Sequence, residues 1–341
     1  MTTSDDNRLA HFTTAAKMSL PHWGIKNATI ALIKYRENAV FKVTDPNGQC
    51  YALRLHRPGY HEYASLLSEL QWMDALSEYG IATAEVVRTT EGELVARVVL
   101  PATGEDIYVD LFHWVDGEVI GSVEDGVALS LDSIATLYYN IGEIAAQLHN
   151  QSSTWTLPEG FTRHAWDLDG LLGEAPLWGR FWELELLTEE QKSIFIQMRN
   201  KATELLQGIA KTPANYGLIH ADFVPENLML EQGRLRPIDF DDAGFGWYMF
   251  ELATVLYFIQ DEPYFEEAKT ALFEGYRAKR TLPDEEEALL PLFLVLRSVT
   301  YVGWLRSRQE TQTAKELAGD LIARALRQSE QFFTWFDIVK S

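Results

Sequence analysis

LIHADFVPENLML, residues 218–230, is the most informative stretch of this sequence. It contains two short apolar runs, and His220, Asp222, Glu226 and Asn227 stand between them within eight residues. Short apolar runs bounded by polar residues are typical of strands, and a cluster of polar residues between such runs is typical of a loop. The stretch therefore predicts a strand, a loop that carries hydrogen-bonding side chains, and a second strand.

The residues on both sides of this stretch predict a small β-structure in a helical region. RLRPIDF, residues 234–240, follows the second strand after the turn EQG, so the two predict a hairpin, with Asp239 at its far end. Apolar residues at three-and-four spacing predict helices over residues 132–149, 188–208, 247–260, 263–278, 288–305 and 314–336. A hairpin with acidic residues at its ends, embedded among helices, indicates a functional site.

The N-terminal part of the sequence has a different pattern, which predicts an antiparallel sheet. Its β-like runs are residues 28–35, 38–44, 49–56, 84–90, 93–100 and 107–115. The turn sequence DPNG predicts a hairpin between the second and third runs. One helix, predicted over residues 61–79, interrupts the strands and ends before Gly80. We therefore expect an N-terminal lobe over residues 1–115 and a helical lobe over residues 116–341.

The composition excludes several classes of protein. The chain has 341 residues, 47% of them hydrophobic, which is enough for a folded protein of two lobes. A formal charge of −21 opposes binding to nucleic acid and to anionic membranes. No uninterrupted apolar run of about 20 residues and no leader pattern is apparent, so we expect a cytoplasmic protein without a membrane partner. Cys50 is the single cysteine, which excludes an internal disulfide. The oligomeric state does not follow from the sequence.

The loop and the hairpin carry groups that suit phosphoryl transfer from ATP. This reaction needs a divalent ion, a residue that orients the acceptor hydroxyl, and contacts that hold the triphosphate. Asp222 can bring a carboxylate to the hydroxyl. Asn227 and Asp239 can offer oxygen ligands to Mg²⁺, a hard cation that prefers them. These residue types, in this order and in loop and strand-end positions, predict a site of this kind.

HADFVPEN followed by IDFD resembles the catalytic and metal-binding motifs of the aminoglycoside phosphotransferase and choline kinase family. The resemblance implies an α+β protein with a two-lobed, protein-kinase-like fold. Its small N-lobe would be an antiparallel sheet with one main helix, and its larger C-lobe would be mainly helical. The resemblance also implies that Asp222 is the catalytic base, that Asn227 and Asp239 bind Mg²⁺, and that His220 supports the loop.

The same resemblance implies nucleotide-binding residues in the N-terminal lobe. In YALR, residues 51–54, Arg54 takes the position of the usual phosphate-binding lysine, and Glu69 would be its ion-pair partner. The hairpin YRENAVF, residues 35–41, would cover the phosphates, and Asn38 is its polar candidate.

Two further segments resemble family elements that position the site. FHWVDGE, residues 112–118, resembles the hinge that holds the adenine edge. GWYMFELATVL, residues 246–256, resembles the helix after the metal loop, in which Glu251 would bind loop backbone rather than substrate.

The acceptor is less well defined than the reaction. Members of the family phosphorylate amino alcohols, homoserine, sugars and aminoglycosides. The acidic charge, with Asp241 and Asp242 close to Asp239, favours a small hydroxyl compound that bears an amine. One alternative is a stress-response-type Ser/Thr protein kinase. Another is a catalytically inactive nucleotide-binding scaffold that keeps the fold.

Each candidate residue also has a structural interpretation. Taken singly, Asp222 and Asp239 could be acids of surface turns or caps. Arg54 could be a cation at a strand edge, and Glu69 could belong to a solvated helix face. The conjunction of all these residues in one order is what favours the kinase interpretation.

Overall fold

The computed structural model describes residues 3–35, 38–59, 62–100, 103–121 and 131–340. The chain forms two compact units. Unit 1 consists of Met1–Glu118, Thr156–Arg163 and Met229–Asp241. Unit 2 consists of Val119–Trp155, His164–Leu228 and Asp242–Ser341. Two segments that the sequence assigns to the helical lobe, Thr156–Arg163 and Met229–Asp241, thus belong to the unit that contains the N-terminal sheet.

A five-stranded antiparallel sheet forms the centre of unit 1. Its strands are β1 (Thr29–Tyr35), β2 (Ala39–Thr44), β3 (Cys50–Leu55), β4 (Ala96–Val99) and β5 (Asp106–His113), in the spatial order β1-β2-β3-β5-β4. The predicted hairpin between β2 and β3 is confirmed. Its turn closes when the backbone amide of Gly48, at a φ of 85°, donates to the carbonyl of Asp45.

The run 84–90, predicted as a strand, is instead extended backbone with an isolated bridge between Val86 and Phe112. The physical reason lies at Val87, whose carbonyl accepts a hydrogen bond from the indole of Trp23 at 2.7 Å. This carbonyl binds the indole rather than a further strand, and the pairing with β5 consists of two backbone hydrogen bonds beside the bridge, from Val87 to Leu111 and from His113 to Glu85.

Among the described residues, two α-helices accompany the sheet of unit 1. The first, α1 (Thr3–Ser19), was not predicted from the sequence; its Phe12, Ala15 and Ala16 join the buried core beside the sheet. The second helix, α2 (Tyr63–Glu78), agrees with the prediction for residues 61–79, of which 61 lies outside the described residues.

Unit 2 is mainly helical, and its longer helices agree with the six predicted ranges, whereas the two shortest of those described, α4 and α8, were not predicted. They are α3 (Leu131–Thr154), α4 (Leu168–Leu172), α5 (Glu189–Gly208), α6 (Tyr248–Tyr257), α7 (Phe265–Lys279), α8 (Asp284–Glu287), α9 (Leu290–Ser307) and α10 (Gln312–Lys340). Helices α3 and α7 approach closely at two glycines. A Cβ on Gly142 would lie 2.1 Å from the carbonyl oxygen of Leu272, and one on Gly275 would lie 1.9 Å from that of Tyr139. Only glycine permits this approach.

The remaining strands are β6 (Glu118–Val119), β7 (Ala165–Trp166), β8 (Tyr216–Ile219), β9 (Leu228–Glu231), β10 (Arg234–Pro237) and β11 (Gly244–Trp247). In unit 2, three of them form a small sheet in the order β7-β11-β8. The predicted hairpin of β9 and β10 is present, and Gln232 and Gly233 turn it with φ values of 50° and 79°. The loop between β8 and β9 and the residues after β10 carry the predicted site.

One segment of unit 2 corrects the expectation that no part of the chain resembles a membrane span. Asp284–Ser307, which contains α8 and α9, is long and apolar enough by length and composition, although 72% of its most apolar window is buried inside the protein. Helix α9 packs as a core helix, because Leu292, Val295, Leu296 and Val302 are completely buried.

Candidate active site

The loop after β8 holds Asp222 and Asn227 together. Asn227 ends a short 3₁₀ turn, Pro225–Asn227, and its side-chain nitrogen Nδ2 donates to Oδ2 of Asp222 at 2.7 Å. The same nitrogen donates to the backbone carbonyl of Asp222 at 3.0 Å. Because both hydrogen bonds use Nδ2, the amide oxygen Oδ1 of Asn227 remains for another ligand.

Glu251 of α6 holds the backbone of this loop. Its Oε1 and Oε2 accept hydrogen bonds from the amides of His220 and Ala221 at 2.8 and 2.7 Å. Ala221 adopts a left-handed conformation, with a φ of 64°, which is costly for a residue with a Cβ. The predicted role of Glu251 as a ligand of loop backbone is confirmed. It acts as a buried clamp that keeps Ala221 in this conformation.

The pKa of Glu251 reflects its surroundings. Complete burial opposes the charge, but the hydrogen bonds from His149 and from the backbone amide of His220 outweigh burial and lower the pKa of Glu251. The carboxylate is therefore ionised at neutral pH and can accept both backbone hydrogen bonds.

Arg297 of α9, which was not predicted as a site residue, also binds the loop. Its Nη2 donates to Oδ1 of Asp222 at 2.7 Å, and its Nη1 donates to the carbonyl of Ala221 at 3.0 Å. Nη2 also donates to the hydroxyl of Tyr301 at 2.7 Å. Burial opposes the charge of Arg297, but Tyr301 and Asp222 outweigh it and raise the pKa. The sequence signal was an arginine within a long apolar helix.

In unit 1, Arg54 of β3 lies between two carboxylates. Nη2 donates to Oε1 of Glu69 at 2.7 Å, so the predicted ion pair of Arg54 and Glu69 is confirmed. Asp110 of β5 was missed, although it accepts hydrogen bonds from Nε and Nη2 of Arg54 at 3.1 and 2.8 Å. His56 contacts Asp110 at 2.8 Å. Burial would raise the pKa of Asp110, but Arg54 and His56 outweigh burial and lower it.

Asp239 follows β10 and is exposed, with a left-handed φ of 63°. The backbone of the next two residues is held by Arg163, which was not predicted as a site residue. Nη2 of Arg163 donates to the carbonyls of Asp241 and Phe240 at 2.5 and 3.4 Å. Nη1 lies 3.7 Å from Oε2 of Glu69, the acid that also binds Arg54. Arg163 therefore connects the backbone after Asp239 to the partner of Arg54.

Asn38 precedes β2, in the hairpin predicted to cover the phosphates. Its Oδ1 is buried and has no hydrogen-bond partner among the described residues. Residues 36 and 37 of this hairpin lie outside the described part of the chain.

The structure thus places two pairs of the predicted site residues in contact. Unit 2 holds Asp222 against Asn227, and unit 1 holds Arg54 against Glu69, with Asp239 also in unit 1. Among the described residues, no group of three or more His, Cys, Asp or Glu side chains lies close enough together to hold a metal ion. A Mg²⁺ ion commonly takes only one or two carboxylates and completes its shell with phosphate oxygens and water.

Comparison with known proteins assigns the family. Residues 31–289 match the phosphotransferase enzyme family, APH. The chain belongs to this family. It is therefore a phosphotransferase, and the predictions of family and enzyme class are confirmed.

Relatives cover nearly the whole of this family member. Amicoumacin kinase of Bacillus subtilis (strain 168) is 23% identical over 336 residues, which are 96% of this chain and 94% of the relative. The solved structure of a microcompartment-associated aminopropanol kinase is 32% identical, has a TM-score of 0.82, and is matched over 95% of this chain and 98% of that one. The amicoumacin kinase hAmiN, solved with AMP-PNP, Ca²⁺ and Ami, has a TM-score of 0.76 at 20% identity, over 96% and 95% of the two chains. The predicted protein-kinase-like fold is confirmed.

Proposed function

We propose that this phosphotransferase moves the γ-phosphoryl group of ATP, with Mg²⁺, to the hydroxyl of a small amine-bearing molecule, and that an amino alcohol is the acceptor. The observation that carries the proposal is the Asp222 carboxylate. It is fixed by Asn227 and Arg297, yet 23% of its side chain stays accessible. A fixed and accessible carboxylate can accept a hydrogen bond from an acceptor hydroxyl and hold its oxygen for attack on phosphorus.

The role of Asp222 follows from its partners. Arg297 pairs with the carboxylate and holds it in place, so Asp222 can orient the hydroxyl. As the hydroxyl oxygen bonds to the γ-phosphorus, the bond from that phosphorus to ADP breaks, ADP leaves, and the hydroxyl proton passes to Asp222. In a loose phosphoryl transition state, orientation of the hydroxyl by Asp222 contributes more to the rate than the proton transfer does.

The residues proposed for Mg²⁺ fit that ion by their chemistry. The amide of Asn227 has its nitrogen committed to Asp222, which leaves its oxygen for the metal, and Asp239 is an exposed carboxylate. Both are hard oxygen ligands. A bound Mg²⁺ would neutralise charge on the β- and γ-phosphates.

Arg54 is proposed to contact the phosphates through one nitrogen. Its Nε and Nη2 donate to Asp110 and Glu69. Its Nη1 lies 4.0 Å from Oδ1 of Asp241. The buried Oδ1 of Asn38, which has no described partner, supports a ligand contact at the neighbouring hairpin.

The choice of an amino alcohol rests on the relatives. The structure at 32% identity is of an aminopropanol kinase and covers 95% of this chain. The formal charge of −21 favours a cationic acceptor and disfavours nucleic acid. A cytoplasmic location, where ATP is available, remains our prediction.

The proposal is tested by an ATP-consumption screen. Aminopropanol, other amino alcohols, hydroxy amino acids, sugars and aminoglycosides are each supplied with MgATP, and the phosphorylated product is identified by mass spectrometry. We expect turnover with an amino alcohol, abolished by EDTA and restored by Mg²⁺. Transfer of phosphate to protein serine with no small acceptor consumed would instead support the protein kinase alternative.

The Asp222→Ala variant tests the assignment within the site. We expect turnover to fall by a factor of about 100 to 10,000, the usual contribution of a positioned acid–base group, while ATP binding stays nearly unchanged. Turnover equal to that of the unaltered protein would remove Asp222 from the mechanism.

A further inference from the structure

We infer that Arg297 is a positioning residue for this reaction, and that it sets the angle at which Asp222 meets the acceptor hydroxyl. The inference rests on the proposed function, because Arg297 acts through Asp222. Arg297 lies 75 positions after Asp222 in the chain, outside the motif that identifies Asp222.

The guanidinium of Arg297 binds the catalytic loop at two points. Nη2 donates to Oδ1 of Asp222, and Nη1 donates to the backbone carbonyl of Ala221, the residue with the left-handed φ. A planar fork with two donors fixes both acceptors relative to each other. The ammonium of a lysine is a point charge and does not reproduce that geometry.

Arg297 and Asn227 together leave the carboxylate little freedom to rotate. Arg297 binds Oδ1 of Asp222 at 2.7 Å, and Asn227 binds Oδ2 at 2.7 Å. Rotation about the Cβ–Cγ bond would break both hydrogen bonds at once. The remaining lone pairs of Asp222 are therefore held in a fixed direction, which is the condition for a near-attack geometry.

Aromatic rings fix the guanidinium in turn. Its central carbon lies 4.4 Å from the ring centroid of Tyr301, 5.1 Å from that of Trp178 and 5.7 Å from that of Phe250. Tyr301 stacks on Tyr257 with ring centroids 4.9 Å apart. These contacts let a cation remain in an apolar region, and they hold its plane.

Stability alone does not account for a charge at this position. Arg297 is completely buried in the apolar helix α9, and its neighbours Leu296 and Ser298 are also completely buried. Burying an ion pair often gains nothing over apolar residues of similar volume, so packing does not require an arginine here. Control of the catalytic loop does require one.

The test compares Arg297→Lys with a matched arginine of the same unit. Arg199 donates to the carbonyls of Leu172 and Gly173, and lies 4.1 Å from the ring of Trp182. None of its described contacts involves the catalytic loop. Arg297→Met, which removes the charge, and Tyr301→Phe, which removes one acceptor of the guanidinium, complete the set.

We measure kcat, the KM for ATP and the melting temperature with MgATP and aminopropanol, or with the acceptor that turns over fastest in the screen. We expect Arg297→Lys to lower kcat about 100-fold, as for a misplacement of about 1 Å, while the KM for ATP changes little. Tyr301→Phe should lower kcat less. Arg199→Lys should leave kcat unchanged, even if its melting temperature falls as much as that of Arg297→Lys.

A double variant separates positioning from a structural role. In an Asp222→Asn background there is no carboxylate to position, so adding Arg297→Lys should change residual turnover by less than about threefold. An equal loss in both backgrounds, or an unchanged kcat for a folded Arg297→Lys, would overturn the inference and leave the proposed function standing. If Arg297→Lys does not fold, an unchanged kcat for Tyr301→Phe overturns it. Full turnover of Asp222→Asn would remove Asp222 from the mechanism and overturn the inference with it, whereas no turnover of the unaltered protein with any acceptor in the screen would overturn the proposed function.

Discussion

Asp110 accepts two hydrogen bonds from the guanidinium of Arg54, at 3.1 and 2.8 Å, and both side chains are buried in unit 1. Glu69 accepts another from the same guanidinium. Two carboxylates on different elements therefore hold one arginine by charge-assisted hydrogen bonds, and the bidentate contact with Asp110 fixes the plane of the guanidinium. The nucleotide-binding function proposed for Arg54 depends on β5 as much as on α2.

The Asp110→Asn substitution tests this arrangement. It keeps the shape of the side chain but removes the charge that faces Arg54 and His56. We expect the free energy of unfolding to fall by about 3 kcal/mol, the cost of breaking a buried ion pair, and the dissociation constant for ATP to rise. Urea denaturation and calorimetry measure the two effects. Asp106→Asn, at an exposed pair with Arg97, is the control and should change neither.

Arg163 is expected to control metal binding, because it holds the backbone of Phe240 and Asp241 beside the proposed ligand Asp239. Replacing it by methionine should raise the Mg²⁺ concentration for half-maximal turnover about 10-fold, as outer contacts of a metal site commonly do. A titration of turnover with Mg²⁺ measures this. Arg97→Met, at an exposed arginine of the same unit, should leave the titration unchanged; an equal response there would contradict the prediction.

The proposed Mg²⁺ ligands predict a metal-dependent gain in thermal stability. A ligand at 100 times its dissociation constant stabilises the folded protein by about 2.7 kcal/mol. We expect ATP with Mg²⁺ to raise the melting temperature more than ATP with EDTA. Asn227→Ala and Asp239→Asn should each remove most of that difference. A metal-dependent shift that survives both substitutions would refute the ligand assignment.

Acid should destabilise unit 2 through His149. Burial lowers the pKa of this imidazole, which lies 2.8 Å from the hydroxyl of Tyr276. Below about pH 6.5 the unfolded chain binds a proton there that the folded protein does not, so stability falls as the pH falls, by up to about 1.4 kcal/mol per unit. Glu251 affects stability at a more acidic pH. Its pKa is lowered in the folded protein, so its contribution to the free energy of unfolding is lost only as the pH falls through that lowered pKa.

Melting temperatures between pH 8 and pH 5 measure the effect of His149. We expect His149→Gln to flatten the dependence in that range, while His113→Gln, at an exposed position on β5, should preserve it. A pH dependence that is identical in the two variants would exclude His149 as its source.

The parts of the site that the sequence predicted are those whose partners are close in the chain or belong to a known motif. Asp222 and Asn227 are five positions apart, and one loop brings them together. Arg163 could not be predicted, because it is a loop residue whose partners Ser65 and Asp241 are 98 and 78 positions away. Its assignment requires the folded chain.

Arg297 and Asp110 were missed for a different reason. Each is a single charged residue within a run whose period correctly predicted a helix or a strand. The periodic pattern predicts whether the run is a helix or a strand, but it does not predict which residue will pair with the single charged side chain in the run. A charge at a buried position is nevertheless a signal that a partner exists, because isolated buried charges are costly. Helix α1 was missed because its buried face depends on small residues, Ala15 and Ala16, whose pattern is weak.

The composition of unit 1 has a consequence for biosynthesis. Because Thr156–Arg163 and Met229–Asp241 belong to it, the ribosome must pass residue 241 before this unit has all its parts. A fragment that ends near residue 118 would contain all five strands of the sheet but lack Arg163 and Asp239, so unit 1 is completed only after most of the polypeptide has been translated. A ribosome that stalls early would therefore release a product in which the N-terminal sheet is fully synthesised but unit 1 lacks two of its segments.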